Sequence, residues 1–378
     1  MRIAGFWPPE PVRPDAAPVA RDPGGLRAEV APHGGRPFWA GGAAERVGPA
    51  VGVAQPDAGA VSDGGQPARG PRFDAPIAAG GYSWWYVDAL SDDGQHGITL
   101  IALIGSVFSP YYAAARRRGG GDPLNHSSLN VALYGKAGYR WSMTERGRNA
   151  LKRGESWLQI GPSGLDWDGT CLTIHIDEIT VPLPRRIRGT VRVYPTAMLG
   201  QSYPLDPAGR HHWEPLAPCA RVEVAMERPS LRWSGGGYLD SNRGDEPLEA
   251  AFRRWDWSRT ALKHGAAVLY DVTGRDGPGP LLGLRFDPAG GVERFEPPPH
   301  VPLPTTGWRV KRGTRVDPQH GARVIETLED TPFYARSVLE TRLLGETATA
   351  MHESLCLDRF SSRVVQAMLP FRIPRALR

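Results

Sequence analysis

Cysteine is nearly absent from this chain: 378 residues contain three, Cys171, Cys219 and Cys356, each far from the others. That excludes a disulfide framework, offers no zinc-site spacing, and fits a reducing cytoplasm. Long hydrophobic runs are missing too. The longest, Ile98 to Val107 (ITLIALIGSV), falls well short of the ~20 residues a membrane-spanning helix needs and reads as a buried strand. The opening MRIAGFWPPEPVRPD has no apolar h-region, so no secretory signal is expected. No GxSxG elbow, Rossmann fingerprint or cluster of metal ligands occurs, and no GK[ST] follows Ser234-Gly-Gly-Gly-Tyr238. These absences leave cofactor-free acid–base chemistry or simple binding open, with no metal and no cofactor expected. The glycine run instead permits unusual backbone angles, or close approach of a ligand or another strand.

What is abundant is glycine, 46 residues, and proline, 37, both denser in the first seventy positions than in the rest of the chain. That stretch has little apolar periodicity and cannot bury enough surface to offset chain entropy, so residues 1–70 are expected to be a disordered extension, or the product of a misplaced translation start. The formal charge is a modest +5. Basic clusters stand at Arg116-Arg117-Arg118, at Arg185-Arg186-Ile187-Arg188 and from Pro370 to Arg378. No nucleic-acid-binding motif accompanies them, so a nucleic-acid partner is not expected. Contact with an anionic membrane and plain solvated charge are the remaining readings.

From Phe73 onward, short alternating segments are separated by turn signals: Leu172–Ile179, Thr190–Val193, Ala220–Met226, Ala266–Val272 and Leu281–Phe286. Asp166-Trp-Asp-Gly169 and Asp287-Pro-Ala-Gly-Gly291 read as turns. Long helical periodicity is scarce; Glu249 to Arg254 suggests a short turn or helix, and Phe108 to Tyr112 a turn through Pro110. The pattern predicts an all-β chain of antiparallel sheets, with too many strands for one small barrel. Two β-domains are therefore expected, 71–216 and 217–378, divided where Glu214 to Pro218 (EPLAP) interrupts the strands.

Two pairs with i, i+2 spacing carry the chemistry: His211 with Trp213, and Tyr238 with Asp240. In extended segments each pair shares one face, while His212 points away. An aspartate forced into an apolar site stays protonated, because desolvation disfavours the charged form. A neutral carboxylic acid in a dry site is one of few protein groups able to protonate an alkene. Trp213 and Tyr238 would stabilise a cation through their ring faces, by ~2 kcal/mol each. His211 would keep Asp240 protonated or take a proton from water. Trp255, Trp257 and Tyr270 add aromatic surface suited to a long apolar ligand, although core packing accounts for much of such density. A two-carboxylate glycan enzyme, pairing Asp240 with Asp256 or Asp271, is a weaker alternative.

From Gly70 to the C-terminus the sequence resembles the acyclic carotenoid 1,2-hydratases, also called hydroxyneurosporene synthases. The resemblance rests on GGYSWWYVDALSDDGQHGITLIA (80–102), GSVFSPYYAAARRR (105–118), LNVALYG (129–135), WSMTERGR (141–148), DEITVPLPRRIRG (177–189), HHWEPLAP (211–218), GGYLDSNRGDEPL (236–248) and RRWDWSR (253–259). It leaves residues 1–70 outside the match. The resemblance implies two packed lipocalin-like β-barrel domains and a hydro-lyase needing no cofactor. That enzyme adds water to the terminal C1–C2 double bond of neurosporene or lycopene, through protonation to a tertiary carbocation. His211, Trp213, Tyr238 and Asp240 match the family's catalytic His-x-Trp and Tyr-x-Asp pairs. The implied partners are an acyclic carotene and water, with peripheral attachment to the cytoplasmic or intracytoplasmic photosynthetic membrane. The alternative is a non-catalytic lipocalin-like carrier of carotenoids or other lipids, which would need no Asp240.

Overall fold

The computed structural model describes residues 70–376 except Ala137; the expected disordered extension lies outside the described residues but for Gly70. One sheet, sheet I, takes β1 (Tyr82–Ser91), β2 (His96–Ile104), β3 (Ser127–Gly135), β4 (Arg140–Met143), β5 (Leu151–Arg153) and β6 (Trp157–Ile160). It continues with β7 (Ser163–Trp167), β8 (Leu172–Ile179), β9 (Arg186–Pro195), β10 (Tyr203–Pro204), β11 (His211–Arg228) and β12 (Leu231–Gly244). A second, sheet II, holds β13 (Phe252–Leu262), β14 (Gly265–Gly274), β15 (Pro278–Phe286) and β16 (Val292–Arg294). After a separate hairpin of β17 (His300–Leu303) and β18 (Arg312–Arg315), sheet II is completed by β19 (Arg323–Asp330), β20 (Tyr334–Leu343) and β21 (Glu346–Cys356). Neighbouring strands are antiparallel throughout, as short alternating segments joined by tight turns require.

Sheet I runs β4-β3-β2-β1-β12-β11-β9-β8-β7-β6-β5 and curls back on itself: Ser142 on β4 donates its hydroxyl to the carbonyl of Ile179 at the end of β8, 2.9 Å away. Inside the curl lies one apolar core, which includes Trp85, Val87, Ile98, Leu100, Val222 and Leu239. A second apolar layer joins the outer face of sheet I to sheet II and contains Tyr86, Trp213, Tyr238, Trp257 and Tyr270. Strands β1, β2 and β12 are therefore buried on both faces. That is why ITLIALI reads as an unbroken apolar run rather than an alternation.

The expected division at 216/217 falls inside β11, which runs unbroken from His211 to Arg228. Pro215 and Pro218 have no N–H for the ladder, and the strand answers with register shifts between Glu214 and Ala217 and between Ala217 and Ala220. The chain leaves sheet I only after Gly244, entering sheet II at Phe252 through α2 (Leu248–Ala251). The first shift also changes which face the side chains meet. Trp213 points into the layer between the sheets, whereas Ala217 points into the curl.

The anticipated turn at Pro110 is instead the start of α1 (Pro110–Arg117). Ser109 caps it by accepting from the backbone N–H groups of Tyr111 and Tyr112, and proline suits the first helical turn. The short helix expected at 249–254 ends at Ala251, and Phe252 already belongs to β13. After β21 follow α3 (Leu357–Phe360) and α4 (Arg363–Met368).

Candidate active site

Strand pairing brings Trp213 of the first sequence pair onto the second, Tyr238 and Asp240. On β12, Tyr238, Asp240 and Asn242 share the face toward sheet II, and Trp213 on β11 stands opposite Asn242 in the ladder. Gly235 and Gly237 keep ordinary backbone angles; a methyl group at Gly237 would overlap Val222, and one at Gly235 the carbonyl of Leu90. The glycine run thus serves close approach of the flanking strands.

Asp240 is 4% exposed. Its Oδ2 accepts hydrogen bonds from Trp213 Nε1 at 2.8 Å and from the Tyr238 hydroxyl at 2.7 Å. Its Oδ1 is buried and has no hydrogen-bond partner among the described residues. Burial pushes the Asp240 carboxyl up to about 8, against the two hydrogen bonds, which favour the ionised form; the nearby charges of Glu353 and Asp88 add to the rise. At neutral pH Asp240 is thus a neutral acid. Two donors converge on Oδ2, which acts as its carbonyl oxygen, so the proton resides on Oδ1.

Aromatic rings surround that carboxyl. Trp213 lies 5.0 Å from Tyr270, centroid to centroid, and Tyr238 lies 5.4 Å from Trp257. Trp255 lies 5.0 Å from Tyr270, whose hydroxyl accepts from Asn242 Nδ2 at 3.0 Å. All three aromatics expected from the sequence to bind an apolar ligand are in this layer. Tyr86, opposite Asp240 in the β1–β12 ladder, meets Tyr238 and Trp257 edge-on at 6.1 and 5.5 Å. Extending the i, i+2 spacing by one step would have found Asn242, and the same step along Tyr82, Trp84 and Tyr86 would have found Tyr86.

His211 is buried but does not reach Asp240. Its Nδ1 is 2.9 Å from the Tyr82 hydroxyl, its Nε2 is 3.4 Å from Glu246 Oε1, and its backbone N–H donates to Asp206. Its ladder partner is Gly244, four residues past Asp240 and hence ~13 Å along the strand. The expectation that His211 holds Asp240 protonated is corrected: burial does so. Burial likewise lowers the His211 pKa, keeping the ring neutral.

Two buried arginines from sheet II flank the site, and no local spacing announces them. Arg259 pairs with the buried Asp88 of β1 and stands 5.7 Å from the Tyr238 ring centre. Arg336 stands 5.8 Å from the Tyr86 ring centre and pairs with Glu329 and Glu353.

Removing one donor to Oδ2, as in Tyr238→Phe, strips a hydrogen bond that favours the ionised form, so the Asp240 pKa should rise further. If the acid form is the active one, the alkaline limb of the pH–rate profile moves to higher pH. An unmoved limb would show that Asp240 is not the titrating group.

A family model described as carotenoid hydratase CrtC matches residues 100–378. The chain is 66% identical to the acyclic carotenoid 1,2-hydratase of Thiocapsa roseopersicina over 313 residues, 82% of this chain and 77% of that one. It is 49% identical to the acyclic carotenoid 1,2-hydratase of Rubrivivax gelatinosus over 392 residues, covering 97% of this chain and 96% of that one. The latter match extends into residues 1–70, which the resemblance was expected to leave out. Among solved structures, one assigned as an AttH of Nitrosomonas europaea covers 72% of this chain and 91% of its own, with a TM-score of 0.52 and 15% identity. That likeness concerns the fold alone.

Proposed function

The chain belongs to the carotenoid hydratase CrtC family, and from that membership we propose how its buried site adds water to an acyclic carotene. The activity is carotenoid 1,2-hydration, on the terminal C1–C2 double bond of a substrate such as neurosporene or lycopene. The observation that carries the mechanism is Asp240: neutral at pH 7, enclosed by aromatic rings, with Oδ1 unengaged by the protein.

The Oδ1–H bond breaks as the C1–C2 π pair takes its proton at C2. That leaves Asp240 as a carboxylate and C1 as a tertiary cation bearing two methyl groups. Trp213 and Tyr238 hold the new carboxylate by their hydrogen bonds to Oδ2. The ring faces of Trp213, Tyr238 and Trp257 stabilise the cation, by about 2 kcal/mol per ring in a desolvated setting. Water adds through an oxygen lone pair at C1, and the oxonium returns its proton to Asp240, so acid and charge are restored and no cofactor is consumed. Trp255 and Tyr270 take part in binding the polyene. His211, engaged by Tyr82 and Glu246, is assigned to positioning the strand that carries Trp213.

In this reading the two sheets are two lipocalin-like domains, and the enzyme works as a peripheral protein on the cytoplasmic face of the bilayer that dissolves its substrate. No helix among the described residues is long and apolar enough to cross a membrane.

Incubation with lycopene in heavy water tests the mechanism. The expected product is the 1-hydroxy derivative with one deuterium fixed at C2, read by mass spectrometry after the hydroxyl is exchanged back. Hydration without deuterium at C2 would exclude protonation at that carbon. Unchanged pigment bound to folded protein would favour the carrier.

A further inference from the structure

The segment after β21 is apolar on two opposite faces. Inward, Phe360, Val365 and Leu369 are buried in the same apolar layer as Trp255, Tyr270 and Trp213. Outward, Val364 is 70% and Phe371 77% exposed, and Ala367 and Met368 lie between them, also with open surface. The spacing 364, 367, 368, 371 is one face of a helix, so these side chains form a stripe along α4 and the turn after it. These are the two most exposed large apolar side chains of the described residues. An apolar stripe held in water marks a contact surface, and a helix apolar on both faces is ordinarily covered on both.

Charge identifies the covering partner. After Asp358 the chain carries Arg359, Arg363, Arg372, Arg375 and Arg378 and no carboxylate side chain. Arg372 and Arg375 are occupied, by Glu329 at 3.6 Å and by Glu145. Arg359 and Arg363, on either side of the Ser361-Ser362 turn, make no ion pair among the described residues. Exposed aliphatic and aromatic groups beside unpaired arginines match the boundary between acyl chains and anionic headgroups.

Resting on the carotene-hydratase reading, we propose that the stripe Val364–Phe371, with Arg359 and Arg363, is the surface that docks on an anionic bilayer. It places the layer holding Asp240 directly behind the membrane contact.

The test uses the full chain, wild type beside Val364→Glu/Phe371→Glu. Co-sedimentation with vesicles of phosphatidylglycerol and phosphatidylcholine should fall at least tenfold for the variant, and so should turnover of lycopene carried in those vesicles. Turnover of lycopene in detergent micelles should stay within about twofold of wild type, which also certifies the fold. A control, Ile179→Glu/Leu183→Glu, alters another exposed apolar pair beside arginines and should bind vesicles as wild type does. Undiminished vesicle binding by the first variant overturns the proposal, as does loss confined to the control. Conversion of a wild-type dimer to a monomer by the first variant, with vesicle binding intact, would assign the stripe to a second copy and overturn it too. Failure of wild type to hydrate micellar lycopene would strike the functional reading instead, leaving the vesicle result to stand on its own.

Discussion

Replacing Asp240 by Asn is expected to lower the rate of lycopene hydration at least ~10³-fold while the protein stays folded. The amide oxygen can still accept from Trp213 Nε1 and the Tyr238 hydroxyl, and the amide nitrogen occupies the place of Oδ1. What is lost is the acidic proton. The nearby carboxyls Asp88 and Glu353 are held by Arg259 and Arg336 instead of by Trp213 and Tyr238, so neither substitutes. Chromatography of wild type and variant on the same lycopene preparation decides it. A variant hydrating at near wild-type rate would remove Asp240 from the chemistry altogether.

The same substitution should raise stability, and the sign follows from the direction of the shift. An unfolded aspartate titrates near ~3.9; folded Asp240 titrates at about 8. Between those values the native state holds a proton that the unfolded chain has released. The contribution of the protonated carboxyl is therefore fully present below pH ~4 and is lost as pH rises through about 8. Across that window the wild type should lose up to ~1.4 kcal/mol of stability per pH unit relative to Asp240→Asn. Urea unfolding of both proteins at pH 5 and pH 8 should show the gap widening with pH; a constant gap would mean that Asp240 ionises normally. The rate should fall over the alkaline part of the same window, because the proton being lost is the one delivered to C2.

The site was legible in the sequence to the extent that it is built from period-two strand faces. Tyr238 and Asp240, two residues apart on β12, needed only the strand assignment to share a face. The meeting of that face with Trp213 depended on a register set by bulges, and Pro215 and Pro218, which cause them, read equally well as a break between domains. His211 shows the limit of face arguments. It shares a face with Trp213, yet antiparallel pairing carries it toward Gly244 and away from Asp240. Arg259 and Arg336 were illegible for a different reason: their partners Asp88 and Tyr134 lie 171 and 202 residues away. Helix α1 was hidden by its own cap, since Ser109-Pro110 signals a turn until the residues after it are seen to be helical.

Arg336 is where removal of one side chain should most damage the fold. It is 1% exposed and lies between sheet II, to which it belongs, and β3 of sheet I. Its guanidinium donates to Glu329, to Glu353 at 2.8 Å, and to the Tyr134 hydroxyl at 2.7 Å, while Tyr134 donates onward to Glu329 at 2.7 Å. Arg336→Met fills similar volume but takes the guanidinium from Glu353 and leaves Glu329 with only the Tyr134 hydroxyl and the longer contact to Arg372. Breaking such a pair from one side typically costs about 3–5 kcal/mol, because the remaining charge is left without compensation. Urea unfolding should show a loss of that size. Arg336→Met/Glu329→Gln should regain part of it, since one stranded charge is then gone. Lysine should restore less than arginine, lacking the fork that meets three acceptors at once. The effect should also reach the chemistry. The charge of Glu353 already helps hold the proton on Asp240, and without Arg336 beside it that influence grows. The alkaline limb of Arg336→Met should then sit at higher pH than in wild type. A stable variant with an unshifted limb would show that the arginine neither ties the sheets together nor screens Glu353 from the acid.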